Sequence, residues 1–400
     1  MDAATQDGMT RSDPLANARA LAPLVDAARH RLDRERRLPD ALVEAIGEAG
    51  LFGLWLPRAL GGPELAPCRL LEVVEELSRQ DGSVGWCTAI AAGHGRLAGA
   101  LAPNTACEIF GCGRALGRSV VAGTINPTGR AVAVPGGHRV TGRWGYGSAI
   151  EHSAWVFGNC VVHDERGPQP GPDGAPQMRL CLFPRAEVEV IDTWHVGGLR
   201  GTGSHDFQVR DRFVPEERTL PLRDFTPVPT QPGALYAMPM PTVFASILPA
   251  ILLGIARAAI DALVALAAGR TPTGSPVRLS EKVLAQADLA RAEARVRGGR
   301  ALLFEEFASL WQDVLAGREA TVQRRALVRL AACQAAHLAI EAVDIAYAMG
   351  GGSAIREDNR LERCFRDAHA VAQHFSIAEH SNLEPIGRVL FGLPPGTARF

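Results

Sequence analysis

Three long runs of apolar residues at helical spacing, 243–268, 279–316 and 321–349, fill most of the C-terminal third of the chain. Each exceeds a typical globular helix, and Ala, Leu and Arg alternate along it with helical period. Helices of this length with apolar faces bury them against one another, which predicts a C-terminal four-helix bundle over residues 235–400. The stretch 243–266 is the most hydrophobic, yet Pro249, Arg257 and Asp261 interrupt it. That pattern suits a buried bundle helix better than a membrane span.

The rest of the chain divides by pattern. Residues 1–118 read as an N-terminal helical domain: an amphipathic pair over 13–50, its second helix starting at Pro39-Asp40, then a helix at 70–78. Asp81-Gly82-Ser83 breaks that helix before another, rich in Ala and Gly, that runs to Leu101 with His94 in its middle. Residues 119–220 change to short β-prone segments at 120–122, 131–134, 138–140, 154–157, 179–183, 188–191 and 206–209, separated by Gly and Pro. They predict a middle antiparallel β domain, giving an α+β chain with helices on both sides of a sheet. The Gly- and Pro-rich insert 164–176 reads as a mobile loop.

Composition bears mainly on what is excluded. A formal net charge of -1 and a pI near 6.8 give no long-range pull on nucleic acid or an anionic membrane. The eight cysteines are scattered, with only Cys107 and Cys112 close together, so no zinc spacing is present and no metal is expected. Residues 1–15 lack a signal-peptide core, and a cytoplasmic enzyme with reduced thiols is the expectation. No GxGxxG motif follows a strand, and neither a P-loop nor a nucleophile elbow occurs.

The chemistry concentrates near the C-terminus. Gly350-Gly351-Gly352 reads as a helix stop, and on the helix that follows Arg363, Asp367, Ala370 and His374 recur at spacings of three or four, along one face. His374 either packs a helix end or works in a site. The glycine turn, Leu361-Glu362-Arg363 and Arg366-Asp367-Ala368 resemble the last turn and helix of the acyl-CoA dehydrogenase superfamily. In its dehydrogenases a Tyr-Glu-Gly segment follows and supplies the base. Here His374 and Phe375 fall where that Tyr and Glu would stand. This resembles the two-component flavin monooxygenases on the same fold, including the oxygenase components of p-hydroxyphenylacetate and 3-HSA hydroxylases.

Two further motifs carry the likeness, which spans about residues 21–396. Gly142-Arg143-Trp144-Gly145-Tyr146-Gly147-Ser148 is either an ordinary glycine-rich hairpin or the monooxygenase segment whose serine lies near flavin N5, which maps to Ser148. Residues 192–204, ending Leu199-Arg200-Gly201-Thr202-Gly203-Ser204 before a strand and Val214-Pro215-Glu216, resemble the superfamily's sheet-domain signature in its hydroxylase form.

The resemblance implies reduced FMN or FAD, supplied by a separate flavin reductase and held by Trp144, Ser148, Arg200, Thr202, Gly203, Ser204 and Gly351. With O2 this would form a C4a-hydroperoxyflavin that hydroxylates an aromatic or polyketide-like small molecule or oxidises an amine nitrogen. His374 and Ser148 would be catalytic, with His94 shaping the substrate end; alternatively His94 is a satisfied core histidine. Ser148 would bond N5, and a His374 with a pKa near neutrality would serve as base or acid or hold a substrate hydroxyl as anion. A homotetramer is also implied. Two other readings stay open: an acyl-CoA dehydrogenase with its base moved to Glu362 or Glu379, and a non-catalytic flavin-binding protein of the same fold. Arg291, Arg295, Arg297 and Arg300 either bind flavin phosphate across a subunit boundary or form a solvated face.

Overall fold

The computed structural model describes residues 13–171, 174–397 and 400. The N-terminal stretch 1–15 therefore lies outside the described residues except for Asp13, Pro14 and Leu15, and so do residues 172 and 173 of the insert.

The N-terminal part forms α1 (Pro14–Ala20), α2 (Ala22–Glu35), α3 (Asp40–Glu48), α4 (Pro67–Gln80), α5 (Gly82–His94) and α6 (Pro103–Phe110). The first helix of the expected pair is broken at Leu21, because Pro23 has no N–H with which to continue the ladder. Asp81 separates α4 from α5 and caps the latter, its Oδ1 accepting from Ser83 N at 2.9 Å. Every residue of α5 is buried. The helix rich in small residues stops at His94 and continues to Ala100 only as a 3-10 segment.

The middle part is one sheet of nine strands among the described residues: β1 (Val120–Val134), β2 (Gly137–Gly147), β3 (Ser153–Asp164), β4 (Gly167–Pro168), β5 (Met178–Pro184), β6 (Glu189–Ile191), β7 (His205–Pro215), β8 (Thr219–Arg223) and β9 (Thr226–Pro227). Their order is β6-β7-β2-β1-β3-β5-β8-β9, with β4 on β3. The sheet is mixed rather than antiparallel throughout. β2 returns as a hairpin on one side of β1, and the chain then crosses to the other side, where β3 pairs with β1 in parallel. Segments 120–122 and 131–134, expected as two strands, belong to one strand whose register shifts between Thr124 and Gly129. Much of the expected mobile loop is also ordered, since β4 pairs with β3 and Pro170 bridges Pro176.

Alternation along the strands splits the sheet into two faces. Val121, Trp155, Phe157, Leu180 and Leu182 pack with helical residues such as Leu97, Ile109 and Phe110. Their neighbours Ala122, Val156, Cys181 and Phe183 join Trp144 and Phe207 in a separate core on the other face.

The C-terminal part comprises α7 (Ala234–Ala237), α8 (Met240–Gly269), α9 (Val283–Leu315), α10 (Val322–Gly350), α11 (Arg360–Ala372) and α12 (Glu379–Leu390). The run 279–316 is interrupted at Lys282, which leaves a 3-10 turn ahead of α9. α8 is buried on all sides over most of its length, which explains why it is apolar all round. It and Val322–Ser353 are long and apolar enough to cross a membrane, but both are largely buried in the bundle. A Cβ at Gly254 would lie 2.2 Å from Glu75 O, so glycine is what lets α8 press onto α4. α10 stops at Gly351, where φ reaches 50°, as the glycine triplet predicts.

Candidate active site

A cavity of about 370 Å³ opens between the sheet, α5, the N-terminal end of α8 and the turn after α11. Its size falls within the range of small-molecule sites.

The polar wall begins at the end of β2. Tyr146 and Ala149 flank Ser148 with φ of 65° and 58°, left-handed values that cost non-glycine residues on the order of 1–3 kcal/mol each. Two backbone bonds hold this reversal, Ser148 N to Tyr146 O at 2.9 Å and Ala149 N to Thr202 O at 2.8 Å. The serine is thereby aimed inward, 5 % exposed.

A chain of hydroxyls continues from it, and donor counting fixes its direction. Trp86 Nε1 donates to Ser148 Oγ at 2.9 Å. Thr202 Oγ1 donates to Leu199 O at 2.9 Å, which uses its only proton. Ser204, 2.7 Å from Thr202 Oγ1, must then donate to it, and Ser148, 2.8 Å from Ser204 Oγ, must donate to Ser204. Each serine oxygen keeps one lone pair, so this edge of the cavity offers acceptors.

The loop behind the chain is anchored at Leu199. Its carbonyl also accepts from Trp194 Nε1 at 3.1 Å, and its N–H donates to Asp367 Oδ1 at 2.7 Å. Asp367 belongs to a buried ionic cluster in which Arg363 lies 2.8 Å from Asp81, 3.0 Å from Asp33 and 3.8 Å from Asp367. Burial is the largest influence on the Asp367 carboxyl and raises its pKa to about 6 against the pull of Arg363. The expected Arg363–Asp367 pair is therefore present, but the closer partner of Arg363 is the α5 cap.

The opposite wall is apolar, built from Ile90, Phe225, Met240, Pro241 and Phe244. His94 stands among them at the end of α5, with Nδ1 2.7 Å from Val121 O and its ring edge-on to Phe157 at 4.7 Å. Burial lowers its pKa to about 4, outweighing the Val121 hydrogen bond.

His374 is not on the helix face that its spacing suggests. α11 ends at Ala372, where Gln373 N turns back to Ala370 O, and His374 lies in the tight turn that follows. This turn carries the ring into the cavity, 5.9 Å from Trp86 and stacked 4.8 Å from Phe375. The ring is half-buried in the cavity wall, and burial is the cause that lowers its pKa, to about 4. At neutral pH it is an uncharged imidazole, not the group near neutrality expected from the sequence.

The structure thus brings His374, Ser148, Ser204 and His94 to one cavity, with Thr202 one hydrogen bond behind. It places the other expected ligands elsewhere. Trp144 is wholly buried in the far face of the sheet, stacked on Phe207 at 5.2 Å and donating to Asn159 O, so it lines no cavity. Arg200 turns to α2 and donates to Asp33 O at 3.2 Å. Gly203 packs towards Arg36 O, and Gly351 sits beside the Arg270 guanidinium at the end of α10. The four arginines of α9 pair with Asp288, Glu341, Glu293 and Glu75. Trp86 was missed; the one clue was a large aromatic inside an otherwise small-residue helix.

The cavity's fit to a flavin ring follows from the same residues. Trp194 and Tyr146, edge-to-face at 6.3 Å, stand at the polar wall beside Ser148 and Ser204. Gly123 of β1 also lines the cavity and presents bare backbone there, its glycine being required by Phe157 O of β3, which a Cβ would approach to 2.4 Å. A flat ring with a polar edge suits that slot.

Comparison with known proteins identifies the family and the fold. Residues 17–102 match the N-terminal domain of acyl-CoA dehydrogenase, and residues 246–379 match its C-terminal domain. Fold and site define a member of the acyl-CoA dehydrogenase superfamily. The chain is 34% identical to indole-3-acetate monooxygenase of Pseudomonas putida over 95% of each chain. It is 31% identical to the flavin-dependent monooxygenase oxygenase subunit HsaA of Mycobacterium tuberculosis, over 90% of this chain and 91% of that one. XiaF from Streptomyces sp., solved in complex with FADH2 and glycerol, superposes with a TM-score of 0.88 at 27% identity over 97% of both chains. Within the superfamily this chain belongs to the flavin-dependent monooxygenases, and it is an oxidoreductase that works with flavin.

Proposed function

We propose that this protein is the oxygenase half of a two-component system: a separate reductase delivers reduced flavin, which the cavity uses with O2 to hydroxylate a small aromatic molecule. The observation that carries this reading is the directed chain Trp86–Ser148–Ser204–Thr202–Leu199, which faces an apolar pocket tipped by histidine. Reduced flavin carries a proton on N5, and the spare lone pair of Ser148 is a ready acceptor for it. When bound, the flavin supplies the activation of oxygen.

The residues of the chain do the rest. Ser148 and Ser204 hold the polar edge of the ring, and Trp86 fixes the Ser148 hydroxyl. Ile90, Met240 and Phe244 keep water from the oxygen chemistry. His374, neutral, holds a substrate oxygen. Glu362 is paired with Arg366 at 2.9 Å, and Glu379 lies 3.6 Å from His337. Neither lines the cavity, which leaves the dehydrogenase reading without a base.

We place the enzyme in the cytoplasm, where its eight unpaired cysteines stay reduced. As a homotetramer it would cover the exposed apolar residues Leu390, Phe391 and Leu393 at the C-terminal end.

The test is rapid mixing of the protein and anaerobically reduced FMN or FAD with oxygenated buffer. A transient absorbance that differs from reduced and oxidised flavin, and far outlasts that of free flavin, is the expected result. Direct reoxidation at the free-flavin rate would overturn the oxygenase reading.

A further inference from the structure

Two imidazoles face the cavity, and their backbone contacts give them opposite tautomers. His94 Nδ1 lies 2.7 Å from Val121 O. A carbonyl only accepts, so Nδ1 carries the proton and Nε2 of the neutral ring is bare. His374 Nδ1, by contrast, accepts from the backbone N–H of Ser376 at 3.3 Å. A backbone amide only donates, so here Nδ1 is bare and Nε2 carries the proton. The two rings present an acceptor at the α5 end and a donor at the turn after α11.

The remaining wall sharpens this polarity. No Arg, Lys, Asp or Glu lines the cavity among the described residues. A charged group on a ligand would lose its water there without gaining a counter-ion, whereas a neutral polar group needs only one bond.

We propose that the cavity selects a neutral aromatic molecule that donates one hydrogen bond to His94 and accepts one from His374, and that it discriminates against the same ring bearing a carboxylate. This rests on the reading of the cavity as the oxygenase's substrate site.

The full-length protein tests it in two ways. Long-range proton–nitrogen NMR of histidine-labelled protein, assigned with His94→Phe and His374→Phe, reads each tautomer directly. A proton on Nδ1 of His94 and on Nε2 of His374 is expected; the same tautomer in both rings overturns the proposal. Equilibrium binding is then measured for 3-methoxyphenol, 1,3-dimethoxybenzene and 3-hydroxybenzoate, with flavin kept reduced under anaerobic conditions. 3-Methoxyphenol, with one donor and one ether acceptor, should bind best. Loss of the donor should weaken binding about tenfold, and the carboxylate should weaken it at least as much. His94→Phe should erase the preference for 3-methoxyphenol over 1,3-dimethoxybenzene. Equal binding of 3-hydroxybenzoate, a donor preference that survives His94→Phe, or failure of all three probes to bind overturns the proposal. These equilibrium results do not depend on oxygen, so failure of the oxygenase reading would show separately, as immediate reoxidation of the flavin.

Discussion

Ser204 decides which way the Ser148 hydroxyl points. With Ser204→Ala the Ser148 proton loses its acceptor and can turn into the cavity, where it suits the bare N5 of oxidised flavin. The preference for reduced over oxidised flavin, taken as the ratio of the two Kd values, is expected to fall about five- to tenfold. An unchanged ratio would separate the relay from cofactor choice.

The histidines make a second prediction at this scale. His94, His152 and His374 each have a pKa near 4 in the folded protein against an ordinary 6.5, burial being the largest cause in all three. Between those values the unfolded chain binds more protons than the folded one, so stability rises with pH across that window. The raised Asp367 carboxyl opposes this trend below pH 6 but is one group against three, so the Tm should still drop as pH falls from 6.5 to 4, and His374→Phe should flatten the slope; a Tm independent of pH there would contradict the burial of these rings. Ser148 and His374 were legible in the sequence because they sit in motifs. Trp86 and the two tautomers were not, since each depends on which backbone group a distant segment brings to the ring.

At the level of elements, the long helices were located because a helical period, or in α8 a long run apolar all round, is read along one helix without knowledge of its neighbour. Pairing did not declare itself. The parallel contact of β1 with β3 depends on where the chain crosses after β2, and nothing within either strand encodes it. The end of α11 was misplaced for a related reason: a favourable helical spacing continued on paper past Ala372, while the backbone had already turned. The contact between α4 and α8 gives a test here. Gly254→Ala places a methyl against the Glu75 carbonyl and should cost about 1–3 kcal/mol, seen as a lower urea midpoint. A wild-type midpoint would mean that α8 shifts without penalty.

For the molecule as a whole, one continuous core runs from Ala18 on α1 through α8 to Ile377 after α11, so the two helical parts share their interior. Single-tryptophan variants that keep Trp55 or Trp311 should report the same urea transition. Two separate midpoints would divide the core. The sequence showed three successive patterns, but not that the first and third close over the same residues.

Closure of this kind distributes freedom unevenly around the cavity. α5 is hemmed in at every one of its positions, from the Asp81 cap to His94. Phe225, Met240 and Phe244 instead come from the end of the sheet and the first turns of a helix. A library of substitutions would therefore find α5 nearly closed to change, and with it Phe225 and Met240, which are equally buried, whereas Phe244 is only half-buried. New substrate ranges, whether reached by selection or by design, should arise first at Phe244, with α5 and the two imidazoles inherited unchanged.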